Sequence, residues 1–134
     1  MIIDYQNKMS ADQAVTSTAA STNIVDLGVA GDALTTHQLY LEILTKEAAT
    51  AAGAATVNFA LQTATDSGFS SPVTLFDSGA IAKTALTLKS MPVRLQLPIG
   101  CLRYIRVNYT VATGPLTAGK FDAFLTPAVD VLKG

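Results

Sequence analysis

Across residues 39–124 the chain repeats one pattern: short runs in which every second side chain is apolar, each closed by Gly, Pro, Ser, Asp or Thr. Successive side chains of a β-strand point to opposite sides of a sheet, so period-two alternation is what a strand with one buried face requires. In residues 56–63, Val57, Phe59 and Leu61 alternate with Asn58, Ala60 and Gln62. In residues 103–111, Ile105, Val107, Tyr109 and Val111 alternate with Tyr104, Arg106, Asn108 and Thr110. Further runs fall at residues 23–27, 38–45, 73–77, 81–88, 91–97 and 120–126. The expected fold is all-β, with about eight short antiparallel strands in a sandwich or jelly roll. A closed barrel is the alternative that alternation alone does not separate from two packed sheets. No stretch supplies the helix that a parallel crossover needs. Residues 46–55 are small and Ala-rich, and read as a loop, because Gly53 and the lack of an apolar stripe oppose a helix.

Residues 1–22 differ in character and are expected to form an extended N-terminal arm, with residues 23–134 as the folded domain. Ser10 followed by Gln13 has the spacing of a capping box, but the Thr and Ser residues after it argue for no more than a turn. The entropy of ordering such an arm exceeds what four buried side chains return. It is ordered only if it pairs as a first strand or lies on a neighbouring molecule. In the second case Ile2, Ile3, Tyr5 and Met9 are its contact residues.

Length and charge narrow the function. The 134 residues suit one domain with a real core, and only 14% of them are charged, well below the roughly 25% of average soluble proteins. Neutral side chains must cover much of the exterior, which favours a surface that faces protein. Nine basic and ten acidic residues leave a net charge of -1 without a basic cluster, so nucleic acid is not an expected partner. No apolar run approaches the ~20 residues that span a bilayer, and no signal sequence is expected. Cys101 is the lone cysteine, so it forms no intrachain disulfide and reads as a buried thiol.

Candidate chemistry is sparse. His37 is the single histidine, and no Gly-x-Ser-x-Gly elbow accompanies it; a triad with Asp32 would need a nucleophile placed by the fold. One Cys and one His fall short of a zinc site, and Asp66 and Asp77 lack a calcium-loop pattern. Glu42 and Asp122 are a conceivable carboxylate pair for glycoside chemistry, with few aromatics to stack a sugar. The expectation is no enzyme activity, no metal and no cofactor. Tyr40, Tyr104 and Arg106 point outward and are of the types enriched in interface anchors. Cross-strand pairing on a solvated face is the plainer account of the same residues. A carbohydrate- or receptor-binding jelly-roll module of a virion is the rival to a structural role.

Residues 9–23, opening Met9-Ser10-Ala11-Asp12-Gln13, and the following Ile24-Val25-Asp26-Leu27-Gly28 resemble the capsid cement proteins of short-tailed bacteriophages of the Bordetella-phage type. The resemblance continues in Ala51-Ala52-Gly53-Ala54-Ala55-Thr56, in Phe69-Ser70-Ser71-Pro72-Val73-Thr74-Leu75, and from Arg103-Tyr104-Ile105-Arg106-Val107 through Gly114-Pro115 to Lys120. It covers most of the chain and rests on order and spacing. It implies a jelly roll without catalytic activity, made in the bacterial cytoplasm and bound to the outside of the expanded icosahedral head. Its implied partners are the major capsid protein and further copies of itself, as a dimer or trimer.

Overall fold

Alternation gives each strand one apolar row, and the rows of two sheets must meet to leave water. The structure is a computed structural model that describes residues 8–26, 40–96 and 102–126. Its strands are β1 (Lys8–Ala14), β2 (Ala19–Ala20), β3 (Val25–Asp26), β4 (Tyr40–Thr50), β5 (Thr56–Ala64), β6 (Val73–Ala82), β7 (Val93–Gln96), β8 (Tyr104–Ala112) and β9 (Ala118–Thr126). A 3-10 turn at Lys83–Ala85 is the helical element among the described residues.

One sheet runs β1-β9-β4-β7 and the other β2-β8-β5-β6, with β3 also on β8. Every pairing is antiparallel. β2 and β3 occupy successive stretches of one edge of β8, so nine strands fill eight positions. Among the described strands the chain changes sheet at every step except from β2 to β3 and through the β5–β6 hairpin, and the first and last of them, β1 and β9, lie side by side. That is the wrapping of a jelly roll, and the expected all-β sandwich is the observed one.

The core lies between the sheets. Val57, Phe59, Leu61, Ile105, Val107 and Tyr109 of one sheet face Leu41, Ile43, Phe121, Ala123 and Leu125 of the other, all buried. Burying a side chain of this size stabilises by about 1.5–3 kcal/mol. At the centre, Phe59 meets Tyr109 and Phe121 edge-on at 5.7 and 5.3 Å, and Tyr109 stacks on Phe121 at 5.7 Å.

Three expectations need correction. From Lys8 onward the N-terminal segment is no free arm: β1 is an edge strand paired with β9, and Met9 is fully buried in the core. Of the two possibilities for the arm, this part takes the first strand; Ile2, Ile3 and Tyr5 lie outside the described residues. The Ser10–Gln13 spacing, read as no more than a turn, falls within a bulged strand, where the Ser10 hydroxyl donates to Gln13 Oε1 at 2.6 Å. Gln13 Nε2 donates to Ala20 O, and Thr22 N donates to Gln13 Oε1, which ties down the turn between β1 and β2.

Residues 46–50 are strand, not loop, since β4 continues to Thr50. Its register against β9 shifts between Thr45 and Glu47 and again between Glu47 and Thr50. Each extra residue flips the phase of alternation, which erased the period-two signal there. Likewise the expected runs at residues 73–77 and 81–88 are not two strands, since β6 runs on to Ala82 before the 3-10 turn, and Ser78 and Gly79 do not end it. They form a bulge inside β6, with Gly79 at φ 76°, and the Phe59 N–H donates to the Ser78 hydroxyl at 3.0 Å.

Candidate functional site

The outer face of the five-stranded sheet is built by the outward residues of β8 and β5. The register sets Arg106 opposite Gln62 and Tyr104 opposite Ala64. Arg106 Nε donates to Gln62 Oε1 at 2.9 Å, and its guanidinium lies 4.3 Å from the Phe69 ring centroid. Phe69 is placed by its own turn, in which the Asp66 carboxylate accepts from Ser70 N and Ser70 Oγ. Phe69 itself takes φ 51° and is buried. Arg106 thus has internal partners on two sides, the cross-strand account of its role, and remains half-buried.

Next to it, Arg103 makes two hydrogen bonds to Asp26, Nε to Oδ1 at 2.9 Å and Nη2 to Oδ2 at 3.1 Å, and sits 5.1 Å from the Tyr104 ring centroid. The hydrogen bonds and charge of Asp26 raise the Arg103 pKa above its ordinary value. This exposed pair fastens β3 to the start of β8. Tyr40 lies on β4 in the other sheet. Tyr104 and Arg106 therefore share one surface, Tyr40 stands on another, and Met9 is enclosed in the core where no partner reaches it.

On the outer row of β4 and β9, Glu42 and Asp122 are diagonal neighbours, because Glu42 pairs with Phe124 and Leu44 with Asp122. Both are buried. Asp122 Oδ1 accepts from Asp12 N at 2.6 Å and its Oδ2 lies 3.9 Å from Lys8 Nζ, while Glu42 Oε2 lies 3.8 Å from Arg94 Nε. These carboxylates hold strands β1, β4, β7 and β9 in register and offer no open approach to a sugar. Asp77 accepts from Gly79 N inside its bulge. Among the described residues no three His, Cys, Asp or Glu side chains gather in a group able to hold a metal ion. His37, Asp32 and Cys101 lie outside the described residues. No helix among the described residues is long and apolar enough to cross a membrane.

A concavity of about 380 Å³ that the sequence did not single out is lined by Leu44, Thr45, Lys46, Leu88 and Lys89. Leu88 is 58% exposed. The sequence signal was present in half: Leu44 is an apolar residue in the outward row of β4. Its companion came from the turn after β6, whose return to β4 no local pattern announces.

No curated protein matches the chain. A family model described as Bbp16 matches residues 9–125, from the first buried side chain of β1 to the last core residue of β9. The chain belongs to the Bbp16 family, whose name points to a protein of a Bordetella phage.

Proposed function

We propose that this protein is a capsid cement protein, which binds the outside of the expanded phage head and clamps neighbouring major capsid subunits without catalysing a reaction. The observation that carries the reading is the family match, which runs the length of the jelly roll. The sequence likeness to phage cement proteins and the low charge of the chain support it. The physics of the role is simple. Packaged DNA pushes capsid subunits apart, and a protein that bridges them adds contact area that must break before they separate. Self-association strengthens the clamp, since an oligomer held at one site presents its second site at high effective concentration. In this reading the protein resides on the outer surface of the virion, with the major capsid protein and further copies of itself as partners.

Co-sedimentation tests it. Purified chain mixed with expanded heads that lack it is expected to pellet with them to a saturating stoichiometry. Chain that stays in the supernatant across the accessible concentration range overturns the proposal, and hits on a glycan array in that case favour a carbohydrate-binding module.

A further inference from the structure

Leu88, Leu44, Lys46 and Lys89 together make a surface that their individual exposures do not explain. A scattered exposed leucine is ordinary. Here, however, the exposed Leu88 shares a concavity with the half-buried Leu44, and two exposed lysines stand on its wall. The turn that carries Leu88 and Lys89 is fixed in place from both sides. Leu86 N donates to Lys83 O and Ser90 N to Thr87 O, while Thr45 N donates to Ser90 O and Lys89 N to Thr45 O, both at 2.8 Å. The Ser90 hydroxyl donates to that of Thr45 at 3.0 Å. Lys89 is held at φ 67°, in the left-handed region that a lysine adopts only under such constraint. The groove is therefore preformed, which lowers the entropic cost of filling it.

Among the described residues neither the Lys46 nor the Lys89 ammonium group makes an ion pair, in contrast to Lys8 and Arg94 on the same sheet. The nearest acid in sequence, Glu47, is exposed and stands opposite Lys120 in the β4–β9 ladder. The groove thus offers an aliphatic floor with two uncompensated positive charges at its wall. The complement is a short extended protein segment with a leucine-sized side chain between two carboxylates. Nucleic acid would satisfy the lysines but has no aliphatic group for the floor. We infer that the Leu44–Leu88 groove is the docking site for an acidic, apolar-tipped segment of the capsid protein. This rests on the reading of the chain as a shell-binding protein and gives that contact a place and a chemistry.

Two measurements test it. The first is amide NMR of the full chain titrated with a capped Asp-Leu-Asp-Leu-Asp peptide and with its Asn-Leu-Asn-Leu-Asn counterpart. The acidic peptide is expected to shift amides of residues 44–46 and 86–90 at least tenfold more tightly than the neutral one, with affinity that falls as salt rises. Equal response to both peptides, or shifts confined to other surfaces, overturns the inference. Decanoate that matches the acidic peptide at the same concentration reassigns the groove to a free amphiphile and overturns it as well.

The second measurement is head binding by Lys46→Glu/Lys89→Glu and by Leu88→Ser, whose exposed positions leave the fold intact. Each is expected to lose at least tenfold in affinity for heads, with an unchanged melting temperature. Wild-type chain that binds heads alongside variants that bind equally well sinks the groove and leaves the cement role standing. Failure of the wild type to bind heads sinks the cement role, and the peptide titration then decides the groove alone.

Discussion

Tyr109 shows how much one residue of this core does. Alternation along β8 places it inward, and it is fully buried against Phe59 and Phe121. A buried hydroxyl needs a partner, and the Tyr109 O–H donates to Ser10 Oγ at 2.7 Å, joining β8 in one sheet to β1 in the other. The inward direction of Tyr109 was legible in the sequence. Its partner was not, because nothing local links two residues 99 positions apart. Tyr109→Phe is expected to lower stability by about 1–2 kcal/mol, read as a lower urea midpoint at unchanged slope. Burial also pushes the Tyr109 pKa up, with the Ser10 hydrogen bond opposing in part. Above about pH 10 the unfolded tyrosine releases its proton while the folded one keeps it, so the unfolded state binds fewer protons and stability falls as pH rises. That alkaline loss, approaching about 1.4 kcal/mol per pH unit from this group, is expected to shrink in Tyr109→Phe. An identical alkaline slope in the two proteins contradicts this account.

At the scale of elements, β5, β8 and residues 40–45 of β4 could be read because their alternation is unbroken. The failures share one cause. β1, β4 and β6 each carry two register shifts, and each shift inverts which face the next residue takes. Ala-rich residues 46–50, the Ser78-Gly79 pair and the Ser10-to-Gln13 segment therefore presented as loop, strand end and part of an extended arm. β1 matters most, since it was expected to be an arm. A chain that starts at residue 15 loses the edge of one sheet, the buried Met9, the Ser10 partner of Tyr109 and the Gln13 bonds to the next turn. It is expected to be unfolded or insoluble, by far-ultraviolet circular dichroism and gel filtration. A truncated chain with wild-type cooperativity would return the segment to the status of a dispensable arm.

For the whole molecule, the sequence yielded the class and the approximate strand number but not the strand order. The jelly-roll wrapping needs β1 beside β9 and β7 beside β4, pairings that depend on side chains far apart in sequence and on the twist of the sheets. The outward anchors divided for the same reason: Tyr104 and Arg106 share a surface with one another and not with Tyr40, and the groove at Leu44 and Leu88 needed two distant segments to meet. What the sequence conveyed about function, a charge-poor exterior with little chemistry in it, suits a protein whose work is to cover and join other subunits. The most direct test of that central claim is the temperature at which expanded, DNA-filled heads release their DNA, measured with and without saturating chain. The account predicts a higher release temperature with the chain bound, and bound chain that leaves the release temperature unchanged would contradict it.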